Sequence, residues 1–297
     1  EKLGDVGSMV DTYYTTRSRH SILTGWLDNL DSDNRLHGDC FTIGTPTARA
    51  RHSIIVNVPS VDAAWGPEMR SLFIVDEGRV IVGADSSGNQ MRALCHYLDN
   101  EEFTDDVING DVHQRNADIL GCTRSKAKPF LYAFLFGGGG GKLSLILKGE
   151  RDPKYGNKMK KAFIENTPGL EKLTVRVQSA LKKTASANPK LGYIPAIDGR
   201  KIFTDSDHKA LNYLLQSFEA VTCKAAIAYM MEKFKEEKLD VHPLIFMHDE
   251  CQLDVSKEDA ERVAEIAAEA FREAPKIFGV NIMDGEAKIG ANWLETH

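Results

Sequence analysis

The sequence predicts an α+β fold in which helices and antiparallel strands are unevenly distributed along the chain. Two observations support this class. Apolar residues recur at helical spacing in several segments between residues 89 and 274, whereas short, largely apolar segments of strand length occur at 79–84, 244–247 and 251–255. The last two segments are close enough to pair as a hairpin, and the strands do not alternate regularly with helices. A doubly wound parallel sheet is therefore not predicted.

Before residue 100, composition and spacing define the elements. Met91, Leu94 and Cys95 recur at helical spacing directly after an apolar strand. The segments predicted here are a polar helix that becomes irregular before residue 35, strands and loops over 35–59, a strand over 79–84 and a helix over 89–98.

Between residues 101 and 240 the pattern is mainly helical. Five consecutive glycines, Gly137–Gly141, predict a helix end and a hinge. The segments predicted here are helices over 105–120, 125–136, 154–165, 169–187 and 207–238, and a turn-rich hairpin over 188–203.

The C-terminal part begins with the hairpin of 244–247 and 251–255. A helix then follows to about Ala274. Ser256 is its predicted N-cap, and Asp259 occupies the reciprocal position of a capping box.

Size and composition exclude several classes of protein. A chain of 297 residues can hold one or two domains with a hydrophobic core. No apolar run approaches the length of a membrane span, and no secretory signal opens the chain. The five cysteines form no CxxC pair, so we predict reduced thiols in the cytoplasm rather than disulfides or a zinc site.

The charge is segregated along the chain, which bears on nucleic-acid binding. The net charge of −6 argues mildly against such binding. However, residues 142–209 carry 15 Lys and Arg against 7 Asp and Glu, whereas residues 241–297 carry 5 against 12. A basic face can therefore coexist with an acidic one. The alternative is that both segments only provide solvated helix faces.

Two aspartates at strand ends are candidate ligands for metal ions. Asp85 follows an apolar strand, and Asp249 lies at the turn of the C-terminal hairpin beside Glu250. If these strands are neighbours, Asp85 and Asp249 could share two Mg²⁺ ions about 3.5–4 Å apart, with the carbonyl of Ser86 as a further ligand. The alternative is two unrelated surface aspartates, which is the better interpretation of either residue alone.

A cationic helix supplies the second half of a candidate site. Arg124, Lys128, Tyr132 and Phe136 recur every four residues and therefore share one helix face. The two cations suit phosphate oxygens, the two rings suit a sugar and a base, and His113 could add a phosphate contact. The alternative is an amphipathic helix whose rings face the core. Carboxylates together with such a helix point to metal-assisted phosphoryl transfer from a nucleoside triphosphate.

Three segments together resemble family A DNA polymerases, most closely the phage replicative branch. They are residues 85–92, the Arg124–Gly137 helix and His248–Glu250. The resemblance implies a polymerase palm with an antiparallel sheet and a mainly helical fingers subdomain. It divides the chain into a remnant of the thumb–palm connection (1–35), the first part of the palm (36–100), fingers (101–205) and the second part of the palm (206–297).

The resemblance also implies roles for individual residues. Asp85, Asp249 and Glu250 would be catalytic, and the α-phosphate of a dNTP would be attacked by a primer 3′-hydroxyl. Contacts to primer–template DNA would come from Arg49, Arg200, Asn212, Gln216 and His248. Tyr132 and Gln90 would shape the sugar pocket, Tyr132 favouring dideoxynucleotides.

Two positions depart from the family pattern. Gln90 stands where the family usually has a glutamate that blocks a ribose 2′-hydroxyl, which puts sugar discrimination in doubt. Phe136 stands where a tyrosine is usual. The chain is also short for the family, and a separate thumb and exonuclease portion, or a processivity factor, is expected as a partner.

The predicted function is template-directed DNA synthesis with two Mg²⁺ ions, acting on primer–template DNA and dNTPs. Three alternatives remain open at this point. They are a single-subunit RNA polymerase, a catalytically incomplete DNA-binding fragment and, less favoured, a two-metal nuclease.

Overall fold

The computed structural model describes residues 4–185 and 192–297. The helices are α1 (Gly4–Leu27), α2 (Gly66–Ser71), α3 (Asn89–Leu98), α4 (Glu101–Ile108), α5 (Val112–Leu120), α6 (Arg124–Leu135), α7 (Gly140–Lys148), α8 (Pro153–Asn166), α9 (Leu170–Thr184), α10 (Asp207–Glu237) and α11 (Ala260–Glu273), followed by a 3₁₀ helix (Ala274–Phe278). The strands are β1 (Cys40–Phe41), β2 (Arg51–His52), β3 (Arg79–Ser86), β4 (Tyr193–Pro195), β5 (Lys201–Phe203), β6 (Val241–Met247), β7 (Glu250–Ser256) and β8 (Gly285–Gly290).

The largest sheet is antiparallel and has the strand order β6-β7-β3-β8. In its register Val82 pairs with Leu253 and Asp85 pairs with Glu250. Because side chains alternate across a strand, this register places Val82, Leu253 and their neighbours on one face, which packs against α10 and α11. The predicted α+β class is therefore confirmed, and the strands do not form a doubly wound sheet.

Two hydrophobic cores organise the part of the chain that the structure describes. One is helical and is built from α3–α9 around large buried side chains such as Leu94, Phe103, Phe130 and Phe163. The other packs β3 and β7 against α11. Helix α10 belongs to both, since its residues 210–218 enter the helical core and its residues 223–234 enter the sheet core. The predicted subdivision of the chain at residues 35, 100 and 205 remains a prediction.

Most predicted helices agree with the structure within a few residues, but the single helix predicted over 105–120 is wrong. Helix α4 ends at Ile108, and helix α5 begins at Val112. The carboxylate of Asp111 accepts hydrogen bonds from the backbone N–H groups of His113 and Gln114, both at 3.1 Å, and so caps the new helix. The Asn-Gly-Asp sequence between the helices is a turn signal that outweighs the apolar periodicity.

The capping box predicted at Ser256 forms only in part. The Ser256 hydroxyl accepts from the backbone N–H of Asp259 at 3.3 Å, but the backbone N–H of Ser256 donates to the Asp240 carbonyl and not to the Asp259 carboxylate. Helix α11 begins at Ala260, after an N-cap at Asp259. The Asp259 carboxylate accepts from the backbone N–H of Asp240 at 2.8 Å and from the Ser256 hydroxyl at 3.0 Å. Asp259 therefore ties the start of β6 to the end of β7 rather than closing a reciprocal cap.

The sequence did not predict α2, α7 or β8. Helix α7 begins inside the glycine run at Gly140, so only the first glycines act as the predicted break. Strand β8 is an edge strand in which only one of six residues is buried, and it lacks the apolar signal of a buried strand. The predicted helix end at residues 186–187 and the start of the hairpin at 188–191 lie outside the described residues. In the described part of the chain, no helix has the length and apolarity needed to cross a membrane.

A close contact between two glycines fixes how α7 packs on α8. A Cβ atom added to Gly156 would lie 1.9 Å from the carbonyl oxygen of Gly140, and one added to Gly140 would lie 2.5 Å from the Asn157 Oδ1. No side chain fits between these backbones. The sequence therefore needs glycine at both positions for the two helices to approach.

We expect Gly156→Ala to lower the free energy of unfolding by about 1–3 kcal/mol, because the added methyl group forces the two helices apart. Denaturant unfolding would measure this. Gly25→Ala is the matched control, since Gly25 is also helical and its Cβ would meet nothing within 4 Å. This control should be neutral or stabilising, because alanine favours a helix. Equal stability of the Gly156 variant and the unaltered chain would contradict the packing argument.

Candidate active site

The sheet brings the two predicted metal ligands together. Asp85 lies near the end of β3, paired with Glu250 at the start of β7, and Asp249 lies in the turn before β7. The backbone N–H of Ser86 donates to the carbonyl oxygen of Asp249 at 3.0 Å. The two strand ends are thus joined by a direct hydrogen bond, and the two aspartates, 164 positions apart in the sequence, share one edge of the sheet.

The turn that carries Asp249 is strained. His248 and Asp249 form the two-residue connection between the paired residues Met247 and Glu250, and His248 adopts a φ of 59°. A non-glycine residue in this conformation costs free energy and is found preferentially at functional sites. The His248 Nδ1 is buried without a hydrogen-bond partner among the described residues. Burial, with the charges of Arg49 and His52, lowers the pKa of His248 to about 4.

The electrostatics of the aspartate pair favour a bound cation. Burial, together with the charges of Asp249, Glu250 and Glu286, raises the pKa of Asp85 to about 8. Burial also raises the pKa of Asp249, although Arg49 acts against it. Neither carboxylate has a salt bridge within residues 4–185 and 192–297. Buried like charges without a partner are costly, and divalent cations would relieve that cost.

Glu250 is held differently from the two aspartates. Its Oε1 accepts from the indole N–H of Trp293 and from the Gln252 amide at 2.7 Å, and its Oε2 lies 3.2 Å from His297 Nδ1. Burial acts to raise the pKa of Glu250, but the contacts with His297, Trp293 and Gln252 outweigh it, so the pKa is lowered.. Glu250 is thus ionised and anchored to the segment after β8, and its catalytic role stays a prediction.

The donor set fits hard divalent ions in an open site. Two carboxylates, without a third His, Cys, Asp or Glu grouped for metal binding in the described chain, do not form a closed cage. Mg²⁺ commonly binds through one or two carboxylates and completes its coordination with water and substrate phosphates. The Ser86 hydroxyl accepts from Asn89 at 2.9 Å, which fixes the residue at the end of β3. Metal ligation by the Ser86 carbonyl stays a prediction.

The predicted face of α6 is turned away from the core. Ala127, Phe130 and Leu131 are buried, whereas Arg124 and Lys128 are exposed and the Phe136 ring is 45% exposed. The alternative in which the rings of this face fill the core is therefore not supported. Pro129 is accommodated inside the helix, which continues to Leu135.

His113 joins this face from α5. The His113 ring lies 6.3 Å from the Tyr132 ring, and the Arg124 Nε donates to the Asp111 carboxylate at 2.7 Å. Burial, with the charges of Arg124 and Lys128, lowers the pKa of His113. The cap of α5 thus places His113 and Arg124 side by side, as the candidate phosphate site requires.

Tyr132 links the cationic helix to the carboxylates. Burial raises the pKa of Tyr132, and so do the negative charges of Asp249 and Asp85. Tyr132 therefore lies within the electrostatic reach of both aspartates. The three sequence segments that carried the family resemblance are therefore close to one another in the structure.

The residues predicted to contact DNA lie partly buried in a hydrogen-bond network. The Asn212 amide donates to the Leu135 carbonyl at 2.6 Å and its oxygen accepts from Gln216 at 3.2 Å. Gln216 in turn accepts from the Thr47 hydroxyl at 3.5 Å. The alternative of an exposed polar stripe is therefore wrong for Asn212, which is buried. Arg200 lies apart in the β4–β5 turn, paired with Asp198 at 2.6 Å.

Arg49 is engaged within the protein. Its guanidinium forms a salt bridge with the buried carboxylate of Glu219 and lies 5.5 Å from the Phe136 ring centroid. Lys224 donates to the carbonyls of Thr42 and Ala48 and thereby fastens the loop that carries Arg49 to α10. A DNA contact by Arg49 stays a prediction, as do those of Asn212, Gln216, Arg200 and His248.

Glu219 and Lys224 were missed by the sequence reasoning. A signal for Glu219 did exist, because it is an acidic residue within the apolar run LLQSFEAV and lies three residues after Gln216. An acidic residue at such a position needs a partner if it is buried. The identity of that partner could not be read from the sequence.

Comparisons with known proteins agree with this geometry. The family model for DNA polymerase family A matches residues 5–295. A DNA-directed DNA polymerase of Enterobacteria phage T3 is 33% identical over 303 residues, covering 92% of this chain and 42% of that protein. One of Escherichia phage T7 is 32% identical over 306 residues, with the same coverage of 92% and 42%. The chain thus spans less than half the length of these relatives.

A solved structure supports the fold. The POL domain of Pol1 from M. smegmatis, in a complex with DNA primer-template and dNTP, superposes with a TM-score of 0.80 at 19% identity, covering 94% of this chain and 52% of that one. Polymerases of this family generally use divalent metal ions. Because the family model matches nearly the whole sequence, the chain belongs to DNA polymerase family A.

Proposed function

We propose that this chain catalyses template-directed addition of dNTPs to a primer 3′-hydroxyl, with release of pyrophosphate. One observation carries the proposal: Asp85 and Asp249 share a sheet edge, and Tyr132 of the cationic helix lies within reach of their charges. The names of the phage relatives and the primer-template and dNTP in the Pol1 complex support the same reaction.

The carboxylates of Asp85 and Asp249 would hold two Mg²⁺ ions. Bound there, the ions would acidify the primer hydroxyl and neutralise the triphosphate and the leaving pyrophosphate. The backbone hydrogen bond between Ser86 and Asp249 keeps the two strand ends in register, so both carboxylates are presented from one rigid edge.

The face of α6 would bind the nucleotide. Arg124 would grip phosphate oxygens with its forked guanidinium, and Lys128 would act as a point charge beside it. His113 would donate to the same triphosphate. Tyr132, with Gln90 at the start of α3, would form the floor of the sugar pocket, and the exposed Phe136 ring would offer a stacking surface to a base.

The primer–template would lie along the first half of α10. Asn212 and Gln216 could reach minor-groove acceptors that all base pairs share, so such contacts would test the shape of a pair and not its sequence. Arg49 and His248 border the carboxylates and would face the primer end. Arg200 in the β4–β5 turn would contact the backbone from the side.

The alternatives are less well supported. A single-subunit RNA polymerase is disfavoured by the match to DNA polymerase family A over residues 5–295. A two-metal nuclease would leave the cationic face of α6 without a role. An experiment can distinguish a catalytically incomplete DNA-binding fragment from a polymerase, because the fragment would bind primed template without extending it.

Asp85→Asn should reduce primer extension by at least a thousandfold, because an amide cannot replace the charge of a metal-binding carboxylate. Extension of a labelled primer with Mg²⁺ and dNTPs would measure this. Asp11→Asn, on the exposed face of α1, is the control and should extend at the rate of the unaltered chain.

Binding of primed template should survive the Asp85 change, as should the cooperative melting of the protein. Near-normal extension by this variant would refute the metal assignment. Binding without extension by the unaltered chain would favour the non-catalytic alternative.

Lys128→Ala should raise the KM for dNTP by about 10–100-fold, because a hydrogen bond to a charged group contributes about 1.5–3 kcal/mol. Steady-state single-nucleotide insertion would give this value. The exposed Lys158 on α8 offers a matched control, and Lys158→Ala should leave KM unchanged. An equal rise in both variants would indicate a general charge effect instead of a phosphate contact.

A further inference from the structure

Glu219 is a buried carboxylate to which the proposed mechanism gives no task. Its side chain is 1% exposed, in the middle of α10. One oxygen accepts from the Gln90 amide and the other pairs with the Arg49 guanidinium. Burial, despite the opposing charge of Arg49, raises its pKa to about 7. A buried charge is costly and is a weak source of stability, so its presence here calls for another explanation.

The contact with Glu219 decides the orientation of Gln90. The Gln90 amide nitrogen donates to the Glu219 Oε2, so the amide oxygen points away from Glu219. That amide oxygen is buried and has no hydrogen-bond partner in the described part of the chain. Within that part, the bond to Glu219 is thus the only side-chain hydrogen bond that holds the Gln90 amide.

The same carboxylate connects Gln90 to residues of other elements. Arg49, its second partner, lies against the Phe136 ring at the end of α6. Glu219 also lies one helical turn beyond Gln216. It therefore stands between the start of α3, the loop before β2 and the C-terminal end of α6.

We propose that Glu219 is a positioning residue that immobilises the Gln90 side chain and thereby sets the preference for deoxyribonucleotides over ribonucleotides. This inference rests on the proposed function. A side chain held by a buried hydrogen bond cannot move aside for a 2′-hydroxyl, whereas a free glutamine has three rotatable bonds through which it can retreat. Loss of the Glu219 contact therefore makes room for ribose.

Glu219→Gln tests this with little change in shape. The substituted amide keeps one acceptor oxygen where the carboxylate had two, and the Arg49 guanidinium competes with Gln90 for it. The ratio of kcat/KM for a dNTP to that for the matching rNTP should therefore fall about tenfold, in keeping with the loss of the hydrogen bond to Gln90. Glu232→Gln is the matched control, since Glu232 is an exposed residue of the same helix, and its ratio should not change. A purely structural role would lower both kcat/KM values together, and an unchanged ratio in Glu219→Gln would overturn the inference.

A double-mutant cycle tests whether Glu219 acts through Gln90. Gln90→Ala alone should lower the ratio, and adding Glu219→Gln in that background should change it less than twofold. A tenfold fall in both backgrounds would overturn the proposal.

A second variant covers the event that Glu219→Gln does not fold. Glu219→Asp keeps the charge for Arg49 but is one methylene shorter, so it should lose the contact with Gln90 and show the same fall in the ratio. An unchanged ratio in that variant, with melting at the normal temperature, would count against the inference.

Different results would overturn this inference and the proposed function. Incorporation of dNTPs by the unaltered chain, with a ratio insensitive to Glu219, would overturn this inference alone. No dNTP incorporation by the unaltered chain would overturn the proposed function, and this inference with it.

Discussion

The site depends on the mutual repulsion of two carboxylates that the sheet forces together. The pairing of β3 with β7 leaves Asp85 and Asp249 no freedom to separate, because a slip of one residue would turn the apolar face of both strands to solvent. Burial of the hydrophobic core thus imposes an unfavourable charge pair at the sheet edge. The positive charge of Arg49 offsets part of this repulsion. Bound cations would offset the remainder. The unfavourable charge pair thus lies where the proposed metal ions would bind.

The sequence allowed this pair to be predicted because strand ends and a tight hairpin are local features. The stripe of Arg124, Lys128 and Tyr132 was predictable for the same reason, since a four-residue spacing has one meaning on a helix. The break between α4 and α5 was missed because the apolar periodicity runs across it, while the cap at Asp111 depends on two backbone groups. Strand β8 was missed because an exposed edge strand has no distinctive composition. The partners of Glu219 were unpredictable, since they come from positions 49 and 90.

The departures from the family pattern become more intelligible once these partners are known. The resemblance places an amide at Gln90 where a glutamate is usual, and the structure puts the carboxylate of Glu219 directly against that amide. A negative group is thus present beside the proposed sugar pocket, although it comes from α10 and not from α3. Phe136, which lacks the usual hydroxyl, instead supplies a ring face to the guanidinium of Arg49. Substitutions that look independent along the chain are neighbours in space.

Helix α10 has a consequence for how the molecule folds. Its 31 residues run about 46 Å and belong to both hydrophobic cores. Unfolding of either core would remove the apolar contacts of one half of this helix. Because the backbone hydrogen bonds are continuous along the helix, the other half would be destabilised as well. The two cores should therefore behave as a single cooperative unit, with no long-lived species in which one of them persists alone.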